Sequence, residues 1–224
     1  SCDNEVRGTM IDDQRKFIFV ENPKTATFSV KHTLLGEENM FNLQDSRLAT
    51  INHKTPELIE LKYPEKWKSY LKFVVVRNTW DRAHSFFDFY QKIALSESYQ
   101  TMSFDEWVAD GCLPPDEGHL SNPMKGEGRY DDVLCQLRYV HGVDEVIVLH
   151  SFDHQERCRE LQAGIDRISA RLNIALQPIP LDGNNHGRST RPIVWKQETV
   201  DRLAIKYKDE IKRFGFQPPI TSVG

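Results

Sequence analysis

The chain has 224 residues, 39% of them hydrophobic, with 29 Lys and Arg against 33 Asp and Glu for a net charge of −4. That slightly acidic balance excludes the basic footprint of wholesale nucleic-acid binding. Twelve Phe, seven Tyr and four Trp suffice for a real core and exclude general disorder, and no apolar run reaches the roughly 18 residues of a membrane span.

The first predicted element is the apolar run Phe17-Ile18-Phe19-Val20, read as a buried strand. It leads into ENPKTATFS, residues 21–29, where small and hydroxyl residues stand at the start of a predicted helix. Val30, Leu34 and Leu35 mark that helix and Gly36 is its natural stop. The N–H groups of a first helical turn have no intrahelical partners, and the helix dipole favours negative charge there. A strand, a turn carrying Lys24 and such a helix start together predict an anion site.

Next comes INHKTPEL, with a short helix starting near Pro56, and then LKYPEKWKSYLK. The four Lys of that segment (Lys62, Lys66, Lys68, Lys72) read as a solvated face or as an acceptor-side patch. Residues 73–76 form a second buried strand, ending in FVVVRNTWDRAHSFF. Arg77 stands just past the strand's C-terminal end, where open α/β sheets bind ligands, and Ser85 follows eight residues on. Ala83, Phe86, Phe87, Tyr90 and Ile93 repeat at helical spacing. Ser103-Phe104-Asp105-Glu106 is a capping box opening a helix that ends near Gly111. Residues 111–130 are rich in Gly and Pro, lack periodicity and read as a long acceptor-side loop.

A third apolar strand covers residues 145–149, and Leu161, Ile165, Ile168 and Leu172 mark the helix after it. A polar loop, residues 181–192, precedes one last helix marked by Val200, Leu203, Ala204, Tyr207, Ile211 and Phe214 and closed by Gly215. Runs without alternation fit a parallel sheet covered on both faces. The expected fold is therefore α/β: a single domain over residues 1–224, with a central, mostly parallel sheet flanked by helices and a P-loop-like strand-loop-helix.

Residues 9–35 contain no glycine, so the first loop is not a Walker A motif, which needs two. This counts against an ordinary ATPase, GTPase or nucleotide kinase. Lys24 at one strand end, with Arg77 and the Ser85 hydroxyl at another, offers two anion sites. A nucleotide with phosphates at both ends of its ribose needs such a pair, and guanidinium suits phosphate oxygens.

KFIFVENPKTATFS followed by FVVVRNTWDRAHSFF resembles the sulfotransferases that use 3′-phosphoadenosine 5′-phosphosulfate (PAPS), most closely the carbohydrate sulfotransferase branch. That branch shows a V-P-K-T-[AG]-[ST]-[ST]-like loop and an F-V-R-N-P-[WY]-D-R-[LV]-x-S-like stretch. GVDEVIVLHSFD and YKDEIKRFGF are similar to its closing strand and helix. The chain departs from the pattern at Asn22, Phe28 and Thr79. The resemblance implies that Lys24, Thr25, Ala26, Thr27, Phe28 and Ser29 wrap the 5′-phosphosulfate and that Arg77 and Ser85, in residues 77–85, hold the 3′-phosphate. Arg188 and Ser189, with His186, either close over the nucleotide's 3′ side or belong to a solvated loop.

Sulfuryl transfer resembles phosphoryl transfer, an in-line displacement in which charge builds on the leaving phosphate oxygen. Lys24 suits that charge, and a single phosphate leaving group demands no metal. His53 is the candidate base, because the branch commonly carries a His in this interval and a neutral imidazole fits the duty. The alternatives are a helix-capping role for His53, with His32, Glu57 or Glu60 as base. Trp80, Asp81 and Arg82 are expected to brace the turn, and His84 to pack or face solvent.

The expected activity is sulfuryl transfer from PAPS to a hydroxyl of a carbohydrate or small metabolite, leaving adenosine 3′,5′-bisphosphate. The alternative is a non-catalytic nucleotide-binding module. Mild acidity argues against a long polyanionic glycan. Cys2, Cys112, Cys135 and Cys158 lie far apart, which argues against a zinc site or a disulfide scaffold and for reduced thiols in a cytoplasm. A lumenal or secretory location is the alternative should an N-terminal anchor precede Ser1.

Overall fold

The computed structural model of the protein describes residues 10–35, 54–115, 134–179 and 193–222. By internal packing the chain forms two compact units, residues 1–76 with 124–183 and residues 77–123 with 184–224.

The first unit is built on a four-stranded, mixed, mostly parallel sheet, ordered β1 (Met10–Asp12), β2 (Phe17–Val20), β3 (Leu71–Arg77), β4 (Glu145–Leu149). β1 runs antiparallel to β2, with Met10 opposite Phe19, and β2 runs parallel to β3, with Phe17 opposite Leu71. All four residues of β2 are fully buried, as are Phe73, Val74, Val75 and Val76 of β3. Both faces of these strands are covered, so their sequences show no alternation.

Two helices supply much of that cover. α1 (Thr27–Leu35) contributes Val30 and Leu34, and α7 (His154–Leu172) contributes Leu161, Ile165 and Ile168 to one core with Phe17, Phe19, Phe73 and Ile147. The rings of Phe19 and Phe73 stack with centroids 5.1 Å apart. Gly164 lets α7 approach the sheet: a Cβ there would lie 2.4 Å from Ile147 Cγ2, closer than any side chain tolerates. Two short helices, α2 (Pro56–Lys62) and α3 (Pro64–Ser69), each begin at a proline, whose missing N–H is no loss at that position. A 3-10 turn, Gln136–Tyr139, precedes β4.

Lys72 corrects one expectation. It is 7% exposed, its ammonium donates to the carbonyls of Trp67 and Tyr70, and it lies 2.9 Å from Asp144 Oδ2. It braces β3 and is no part of a solvated or acceptor-side face. Its position inside the buried strand, with a nearby carboxylate, is the physical reason.

The second unit is helical: α4 (Thr79–Ile93), α5 (Glu97–Thr101), α6 (Phe104–Ala109), α8 (Gln197–Lys206) and α9 (Lys208–Phe214). The capping box is present as the sequence predicts. Ser103 Oγ accepts from the Glu106 N–H, and Glu106 Oε2 accepts from the Ser103 N–H. Phe87, Tyr90, Phe104 and Trp107 form an aromatic core. The predicted single last helix is two, broken at Tyr207, and Gly215 at φ 68° stops the second. The apolar spacing runs through Tyr207 unbroken, so periodicity could not show the break.

Candidate anion site

In the first unit the buried strand β2 ends at Val20 and the chain reaches α1 through Glu21, Asn22, Pro23, Lys24, Thr25 and Ala26. Two of these adopt a left-handed backbone without being glycine: Lys24 at φ 63° and Ala26 at φ 67°. Such residues are disfavoured by about 1–2 kcal/mol each, and strain of this kind collects at functional loops. The Ala26 carbonyl accepts from the Val30 N–H at 3.1 Å, which makes Ala26 the N-cap of α1. Alanine carries no side-chain oxygen, so the cap position itself offers the first-turn N–H groups nothing.

The hydroxyls nearby are turned the other way. Thr25 is fully buried and donates to the Asn22 carbonyl at 2.7 Å, and Thr27 donates to the same oxygen at 3.1 Å. What Thr25 offers a ligand is therefore its main chain. Lys24, Ala26, Thr27 and Ser29 are half-buried, and Phe28 is 40% exposed at the helix start. The loop thus brings Lys24 to Ser29 together around one helix N-terminus.

At the start of the loop the buried Glu21 pairs with the half-buried Lys31, Nζ to Oε2 at 2.7 Å. Burial pushes the Glu21 carboxyl above its ordinary value, while Lys31 pulls it down. Asn22 is fully buried as well, and its amide donates to Val75 O at 3.0 Å and to Gln136 Oε1 at 3.2 Å. Asn22 stood out in the sequence only as a departure from the resembling loop pattern, and Gln136 not at all.

The candidate bases separate. The N-cap of α2 is Thr55, which makes no side-chain cap bond. His53 lies outside the described residues, as do Arg188, Ser189 and residues 116–130 of the proposed acceptor-side loop. Glu60 is exposed. Glu57 is half-buried, and its Oε2 is buried with no hydrogen-bond partner among the described residues, as is the Thr55 hydroxyl. His32 is half-buried in α1.

In the second unit Arg77 closes β3 and Asn78 caps α4, accepting from the Trp80 N–H and donating to Gln217 O. Arg77 Nε donates to Asp81 Oδ2 at 2.6 Å, which orients the guanidinium plane. Ser85 is half-buried two turns along α4. Trp80 is buried, with Nε1 donating to Val200 O, and the Arg82 guanidinium lies over the Phe86 ring. Thr79, where the resembling pattern has proline, donates its hydroxyl to the buried Glu210 carboxylate at 2.6 Å. That bond gives the departure a structural reason. His84 packs against Phe104 and Trp195, 3.5 Å from Asp88. Burial holds it below its ordinary value, against the pull of Asp88 and Asp81.

Among the described residues no cluster of three or more His, Cys, Asp or Glu is placed to hold a metal ion, and no helix is long and apolar enough to cross a membrane. Cys112, Cys135 and Cys158 form no disulfide. No protein-family model matches the chain, and neither a curated protein nor a solved structure matches it.

Proposed function

We propose that the protein is a sulfotransferase that moves a sulfuryl group from PAPS to a hydroxyl of a carbohydrate or small metabolite. One observation carries the reading: Lys24 and Ala26 hold a strained left-handed backbone immediately before α1, in a loop whose sequence resembles the PAPS loops. An anion supplied from outside is favoured at the N-terminal end of the α1 dipole, and its binding there offsets the strain. The half-buried Lys24 supplies a charge for that anion. The loop is in this reading P-loop-like in role, without the glycines.

The donor supplies a sulfuryl group already activated by a phosphate leaving group. Lys24 and the N–H groups of Thr27, Phe28 and Ser29 hold the 5′ side, and Lys24 offsets the charge that grows on the leaving oxygen. Arg77, aligned by Asp81, and Ser85 hold the 3′-phosphate. His53 takes the proton of the acceptor hydroxyl. Glu57 is the second candidate for that proton, because its Oε2 is buried and lacks a partner among the described residues.

The test is transfer from PAPS labelled in its sulfuryl group, across a panel of oligosaccharides, glycolipids and small hydroxylated metabolites. A labelled product that depends on Lys24 is the expected result. Bisphosphate binding with no transfer to any acceptor would leave a nucleotide-binding module instead.

A further inference from the structure

Asn22 ties the loop after β2 to two other parts of the first unit. It stands two residues past the end of β2, is fully buried, and precedes a proline, which restricts its backbone to extended conformations. Its amide nitrogen has two N–H donors, and both have acceptors: Val75 O on the neighbouring strand and Gln136 Oε1 in the turn before β4. Its own N–H donates to Val20 O. Its carbonyl collects both loop hydroxyls, Thr25 at 2.7 Å and Thr27 at 3.1 Å.

These bonds have a geometric consequence. For Thr25 and Thr27 to reach one carbonyl, the chain after Pro23 must fold back on itself. The left-handed turns at Lys24 and Ala26 accompany that fold-back. Neither residue is a glycine, so the conformation is not the one the backbone would choose alone. Something must hold it, and Asn22 is fully buried and bonded to β3 and to the turn before β4.

We infer that Asn22 is the positioning residue of this loop. Stapled to β3 and to Gln136, it fixes the carbonyl on which Thr25 and Thr27 fasten, and so holds Lys24 and the start of α1 in the arrangement that receives an anion. Asn22 touches no ligand and acts through Lys24. The functional half of this inference rests on the donor-site reading above; the structural half does not.

The experiment uses Asn22→Ala and Gln136→Ala in the full chain, with two readouts. The first is the backbone carbon chemical shifts of Lys24 and Ala26 by NMR, which report the left-handed conformation with no ligand present. The second is the dissociation constant for adenosine 3′,5′-bisphosphate, with kcat and acceptor KM, well below each variant's melting temperature. Asn22→Ala should move both shifts and weaken bisphosphate binding roughly tenfold, the size of a lost buried hydrogen bond. It should lower kcat and leave acceptor KM alone. Gln136→Ala removes one of the two amide bonds and should do the same in smaller measure. If Asn22→Ala does not fold, Gln136→Ala decides alone.

Unchanged shifts and an unchanged dissociation constant, with only a lowered melting temperature, would overturn the inference and leave Asn22 an ordinary core amide. If the unmutated protein binds no bisphosphate, the donor reading fails. The shifts then still decide whether Asn22 shapes the loop.

Discussion

The side-chain amide of Asn22 donates to the carbonyl of Val75 at 3.0 Å, fastening the loop that leaves β2 to the adjacent parallel strand. A buried amide without such partners would be strongly unfavourable; with them it fixes where a strained loop begins.

The strain itself can be measured. Ala26 sits at φ 67° as the N-cap of α1. Glycine relieves the left-handed conformation, about 1–2 kcal/mol, at a cost of about 0.4–1 kcal/mol in unfolded-chain entropy. Ala26→Gly should therefore stabilise the protein by about 0.5–1 kcal/mol in urea unfolding. A destabilisation would mean that Ala26 is not left-handed in solution.

The Glu21–Lys31 pair makes a pH-dependent prediction. Burial already raises the Glu21 carboxyl above its ordinary 4.5, with Lys31 opposing. Lys31→Met removes the opposition, so the folded value rises further. A carboxyl whose folded value is raised binds its proton more tightly in the fold. Its stability contribution is complete below pH 4.5 and lost as pH rises through the folded value. Lys31→Met should thus destabilise more at pH 8 than at pH 5, by up to about 3 kcal/mol at the higher pH. Denaturant unfolding at both pH values checks this, and an equal loss at both would refute it.

The β2 and β4 strands were legible in the sequence to the residue, and β3 was read short by two residues at its start and one at its end. Phe17 to Val20 is apolar at every position and too short for a helix, which reads as a buried strand. β1 was not legible, because Met10-Ile11-Asp12 is three residues on a half-buried edge and carries no run or period. The caps of α4, α5 and α6 follow from Asn78, Ser96 and Ser103, of which only the Ser103 box announced itself. At the candidate site Lys24 and Arg77 were legible as charges beside strand ends. Asp81, four residues after Arg77, stood at a spacing that allows the ion pair; the contacts of Asn22 with Val75 and Gln136 join residues 53 and 114 positions apart, which no spacing rule encodes. The left-handed backbone at Lys24 was equally hidden, as lysine carries no signature of it.

Arg77→Lys keeps the charge and loses both the planar fork and the fixed plane that Asp81 imposes. Affinity for adenosine 3′,5′-bisphosphate should fall by roughly 1.5–3 kcal/mol, the range for hydrogen bonds to charged groups. Affinity for 5′-AMP should hardly change. Calorimetric titration of both ligands checks the pair, and equal losses for the two would place Arg77 away from a 3′-phosphate.

His53→Ala should leave bisphosphate binding intact and lower turnover by roughly 10²–10⁴-fold, as loss of a general base does. Glu57→Gln is the companion variant. If the Gln change abolishes turnover and the Ala change does not, the proton goes to Glu57, whose Oε2 is buried and lacks a partner among the described residues.

The central claim is that the loop around Lys24 receives the 5′-phosphosulfate of a nucleotide that also carries a 3′-phosphate. Calorimetric titration of the unmutated protein with adenosine 3′,5′-bisphosphate and with ATP tests it most directly. The account predicts that the bisphosphate binds at least about tenfold more tightly than ATP, which lacks the 3′-phosphate, and that Lys24→Ala weakens bisphosphate binding by a similar factor. Equal affinity for the two nucleotides, or bisphosphate binding that Lys24→Ala leaves unchanged, would contradict it.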